Sequence, residues 1–165
     1  MTRHHTVFLS LALSFLALPL ATAQDGMGMG EDDYGPQPQK QKAAKKWTVE
    51  QAKKFDGNRD VLVLPGVVAD RKTKQVRVFS EMTGASSQDS IEFLVLGTKS
   101  SHGYEALMWS HAEPSAIHAA LEFIGLSPGG ARNPSELRFW SKGRKILVSV
   151  EIEEDVPPVP LEELI

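Results

Sequence analysis

VLVLPGVVADRKTKQVRVF, Val61–Phe79, is the stretch that decides the fold. Its two ends are apolar and β-branched, which suits a pleated, half-buried surface. Pro65-Gly66 interrupts the first run in the manner of a bend or bulge. Asp70–Gln75 is polar and turn-like, and Val76–Phe79 then resumes with alternation. The spacing predicts a β-hairpin. Further along, Ile91–Leu96 is apolar on both faces after Glu92, the pattern of a central strand, and Tyr104–Trp109 reads as another strand. PSAIHAALEFIGL, Pro114–Leu126, switches period. Ile117, Ala120, Leu121 and Ile124 fall on one helical stripe. Proline suits the first turn, and Gly125 with Leu126 beyond it suits the end. Leu137–Trp140 and Lys145–Ile152 are expected to form a last hairpin around Lys142-Gly143. On its second strand Leu147, Ser149 and Glu151 would face water. The class is α+β: a single small domain, a mainly antiparallel sheet of five or six strands with one main helix packed on a face. Trp109, Trp140, Tyr104 and Phe139 are expected to supply core volume.

Toward the N-terminus the pattern changes. Arg3, His4 and His5 precede an apolar run, Val7–Leu20, and then Ala21-Thr22-Ala23. This is the layout of a Sec-type signal peptide over residues 1–23, cut before Gln24. The run is shorter than the roughly 20 residues that span a bilayer, so no integral membrane span is expected after cleavage. The expected location is periplasmic or extracellular. Residues 24–46 are rich in Gly, Gln, Asp and Lys and read as a disordered linker. Residues 47–57 read as a short helix that Thr48 and Gln51 start as a capping box. The folded domain is expected over 58–153, and 154–165 as an extended acidic, proline-rich tail.

Composition excludes several functions. The chain has 165 residues, 18 basic and 21 acidic side chains and a net charge of -3. That balance lacks the basic excess of a nucleic-acid binder. There is no cysteine, which excludes disulfides, thiolate metal sites and cysteine nucleophiles. No phosphate-binding glycine loop and no GxSxG elbow is present. The balance leans toward a non-catalytic chain.

The chemistry-bearing residues cluster. His102, His111 and His118 fall within one short stretch, with Glu105, Glu113 and Glu122 interleaved. Imidazole and carboxylate suit a divalent transition metal when thiolate is absent. His102, Glu105 and His118 are the candidate ligands, with no cofactor assured. Equally, His118 and Glu122 are an ordinary i, i+4 pair, His102 is a turn residue, and His111 is a surface residue. Tyr104 and Ser115 flank the same region as further binding candidates. The positive end of the Pro114–Ile124 helix would attract an anion there.

Several strings within Ile91–Gly129 carry a family resemblance: His102 with Tyr104-Glu105-Ala106-Leu107, Pro114-Ser115 with Ile117-His118, Ala120-Leu121, and Gly125-Leu126-Ser127-Pro128-Gly129. With the flanking stretches from Val61 to Glu151, the chain resembles the YdjY-like domain of exported bacterial proteins. The resemblance implies an exported α+β domain in an envelope redox or metal-handling setting, with an envelope protein as partner. It also carries over His102, Glu105 and His118 as site positions. The expectation is an exported cell-envelope protein acting as a binding or accessory module. The alternative is a metal-binding protein or small metalloenzyme using those three residues.

Overall fold

The computed structural model describes residues 7–13, 35–85, 88–130, 133–137, 139, 142–152 and 156–163. The Val61–Phe79 region is a three-stranded meander. Strand β2 (Val61–Leu64) turns through Pro65-Gly66 into β3 (Val67–Asp70), and β3 turns into β4 (Gln75–Met82). Both pairings are antiparallel. Gly66 has φ 72°, a conformation open to glycine after proline in a tight turn. A Cβ there would also lie 3.0 Å from the Ala112 nitrogen, so the turn packs directly against the segment after strand β6 (Ala106–Ser110).

β6 takes over the edge of β4 where β3 ends, pairing Ser80–Met82 with Met108–Ser110. Phe79 shows the handover: its N–H donates to Gly66 and its carbonyl accepts from His111. Strand β5 (Phe93–Gly97) runs parallel to β6. Among the described residues β5 pairs with β6 alone, so it lies at an edge rather than at the centre expected of it. Tyr104 and Glu105 fall in a 3-10 turn, Gly103–Glu105, ahead of β6.

The helix α2 (Pro114–Phe123) forms where its stripe predicts. Leu126 N–H donates to Leu121 and Gly125 N–H to Glu122, and Gly125 has φ 90°, the double bond of a glycine-closed helix end. The Lys74 ammonium adds a 2.6 Å bond to the Ile124 carbonyl. Ala120 and Ile124 are fully buried with Val67, Ala69, Val76, Val78 and Met108. A ten-residue helix is marginal alone. Burial of Ile124, at about 1.5–3 kcal/mol for such a side chain, outweighs its weak intrinsic tendency to form.

A second helix covers the other face. Helix α1 (Pro38–Lys54) starts nine residues before Trp47 and includes part of the expected linker. Thr48 is therefore not a cap. Its hydroxyl donates to the Ala44 carbonyl and accepts from Gly66 N–H, both at 2.9 Å. Ala44 is buried and Trp47 packs on Phe79, ring centroids 5.6 Å apart. Alternation along β4 puts Val76 and Val78 toward α2 and Phe79 toward α1. Over 38–46 the linker expectation gives way to helix because polar composition says nothing of one buried alanine, one tryptophan and a shared hydroxyl; residues 24–34 lie outside the described residues.

The C-terminal part differs from expectation in three ways. Strand β7 (Ile146–Glu151) pairs with β8 (Val159–Pro160), so the expected tail returns to the sheet. Leu137 is a left-handed residue closing a 3-10 turn, Phe139 is exposed, and Lys142 makes only an isolated bridge to Gly130. No strand of a last hairpin is seen there among the described residues, and Trp140 lies outside them. Glu151, expected in water, is buried and reaches Arg77 of β4 at 3.4 Å.

Val7–Leu13, the first half of the apolar run, is strand β1. It lies between β4 and β7 and is parallel to both. The sheet order is β2-β3-β4-β1-β7-β8, with β6 on β4 and β5 on β6. Four of these seven pairings are antiparallel. The molecule is an α+β domain, with the six strands β2–β7 supplemented by β1 and the short β8.

Candidate functional site

The chemistry gathers where β4 and β6 end. Glu81 directly follows Phe79 and Ser80, where β6 takes over from β3 on β4, and stands opposite Trp109 in the ladder. His111 follows β6 by one residue, on the Trp109 side of the alternation. Its ring meets Phe79 edge-on, centroids 5.9 Å apart. His111 Nε2 lies 3.2 Å from Glu81 Oε1, and both side chains are 5 % exposed. The backbone N–H of Gln37, just before α1, donates to the same Oε1 at 3.1 Å. The imidazole approaches off the hydrogen-bond line, leaving Nε2 close to a carboxylate yet without a hydrogen bond. Removing either member of this buried pair strands the other.

His111 reads as a surface residue in the sequence, and the structure corrects this. The signal was present. Extending the Leu107, Trp109 alternation by one step places His111 on the same buried face. Stopping the strand at Trp109 hid it.

Beside this pair opens a cleft of about 330 Å³, with Gly97–Ser100 on one wall and His111–Pro114 on the other. Lys99 Nζ and Glu113 Oε1 pair across it at 2.7 Å, both exposed. Glu113 is the N-cap residue of α2 and makes no side-chain cap bond. Its carboxylate already sits beside the positive end of the helix, which weakens the case for a second anion there. Ser115 is not among the lining residues.

The expected ligands separate. His102 Nδ1 is 3.5 Å from Glu105 Oε2 and 3.5 Å from the Tyr104 hydroxyl, in the turn that enters β6. His118 pairs instead with Glu122 at 3.5 Å on the outside of α2. It lines a different cleft, about 220 Å³, with Leu121, Leu126 and Arg144. The reason is the strand between them. His102 and Glu105 precede β6 and α2 follows it, and five strand residues span roughly 17 Å. Among the described residues no three His, Cys, Asp or Glu side chains are grouped to hold a metal ion. No helix among them is long and apolar enough to cross a membrane.

Comparison with known proteins agrees with the strings read above. The sequence model of the YdjY domain matches residues 67–165, from β3 onward. No curated protein and no solved structure matches the chain.

Proposed function

We propose that this chain, which belongs to the YdjY domain family, is an exported, non-catalytic binding or accessory module of the cell envelope that engages a protein partner. The supporting observation is the β5 edge. Among the described residues β5 is bonded on one side only, and Ile91 and Phe93 are 41 % and 40 % exposed there. Sheet edges are sites of strand pairing unless charge, proline or a cover blunts them. Large apolar side chains on such an edge fit a protein partner better than a small polar ligand. The signal-like start supplies the export half of the reading.

Both halves are testable in cells. A photo-crosslinking side chain at Phe93 should give one discrete adduct, and the same group at Lys72 should give none. Equal adducts at both positions, or none at Phe93 in correctly folded protein, overturn the partner reading. Fractionation with N-terminal sequencing should find the chain outside the cytoplasm and starting at Gln24. Cytoplasmic protein that keeps its first residues overturns the export reading.

A further inference from the structure

The space between β4 and β7 is one strand wide, and two independent features define it. The first is the occupant. β1 is registered residue for residue against both neighbours, with Ser10 between Arg77 and Ser149 and Ala12 between Phe79 and Glu151. The second is a tie that passes over the occupant. Arg77 belongs to β4 and Glu151 to β7, yet Arg77 Nε lies 3.4 Å from Glu151 Oε2. Neighbouring strands are about 4.8 Å apart, so β4 and β7 are separated by about twice that. The two long side chains therefore meet across the full width of β1, at a point where its own residues are Ser10 and Ala12. Without β1, the facing N–H and C=O groups of Gln75–Ser80 and Ile146–Glu151 would lack their ladder partners, a costly state in a sheet interior.

We propose that β4 and β7 form a strand-receiving site for an extended apolar peptide, aligned parallel to both. In the uncleaved chain Val7–Leu13 fills it, and loss of residues 1–23, as the export reading above has it, opens it to a separate peptide of the same kind. Cutting the chain between that segment and α1 then converts a built-in strand into a replaceable ligand. This site is separate from the β5 edge and does not depend on the partner reading there.

The test begins with the full chain, made cell-free so that its first residues are kept. Hydrogen exchange is compared between this chain and Leu11→Pro, which removes a ladder donor from the middle of β1. Amides of Gln75–Ser80 and Ile146–Glu151 should exchange about tenfold faster or more, with the β2–β3 amides little changed. Identical exchange in the two chains overturns the proposal. In a second arm, a protease site replaces residues near Gln24 and the folded chain is nicked. The N-terminal segment should co-elute with the domain and be displaced by excess synthetic VFLSLAL peptide carrying solubilising lysines. A Leu11→Pro version of the peptide, which lacks one ladder donor, should compete poorly. Release of the segment on nicking, with β4 and β7 protection unchanged, overturns the proposal. If release unfolds the domain, refolding on addition of the peptide supports it and failure to refold counts against it.

Discussion

Three imidazole–carboxylate pairs of almost equal length sit in different surroundings. His102–Glu105 and His118–Glu122 are each 3.5 Å long, with imidazoles 57 % and 61 % exposed. His111–Glu81 is 3.2 Å long and enclosed by Phe79, Trp109 and the start of α1. Distance is nearly constant, so the environment decides what each pair does. In water, screening and side-chain entropy reduce an ion pair to a few tenths of a kcal/mol. Where both partners are buried, each offsets much of the other's lost hydration, with the Gln37 N–H as a further donor to Glu81.

The contrast is sharpest for Glu81→Ala, which removes the carboxylate beside His111 and the acceptor of the Gln37 N–H. Urea unfolding should show a loss of about 3–5 kcal/mol. The double change Glu81→Leu with His111→Phe should recover much of it, because an apolar replacement of both partners avoids a stranded polar group. A loss below about 1 kcal/mol for Glu81→Ala would mean that water reaches the pair. At the other extreme, Glu105→Ala and Glu122→Ala should each change stability by no more than about 0.5 kcal/mol in the same assay. A larger loss from either would place that histidine in a site the fold does not display.

The smallest effect is best read as a pH dependence. Asp60 is held below its ordinary value of 3.8, first by its hydrogen bond to Lys72 and then by that to Arg71. A carboxyl with a lowered folded pKa stabilises the fold above its ordinary pKa and loses that contribution as pH falls through the lower folded value. The melting-temperature gap between wild type and Asp60→Asn should therefore be present at neutral pH and close below 3.8. Added salt should shrink it at neutral pH. A gap that persists in strong acid would refute the pairing as its origin.

How much of this was legible differs by element. The helix α2 was readable to its closing glycine, because stripe, proline and Gly125 all act within a few residues. The Val61–Phe79 meander was readable because Pro65-Gly66 and Asp70–Gln75 are local turn signals. The candidate site was read less well. His102, Glu105 and His118 lie close in sequence, but the intervening strand β6 holds His118 apart from the other two. The buried histidine, His111, is harder to read because its face depends on one further step of alternation beyond Trp109.

By itself the sequence determined what short-range chemistry can specify: the α+β class, the turns, the helix α2, the absence of thiol chemistry and the family strings. Tertiary structure alone decided that a polar stretch folds as α1 through Ala44, Trp47 and Thr48, and that Glu81 and His111 meet. It also decided that Val7–Leu13 lies between β4 and β7. Each of these depends on contacts between residues distant along the chain, where a single buried group or shared hydrogen bond outweighs the average character of the segment that carries it.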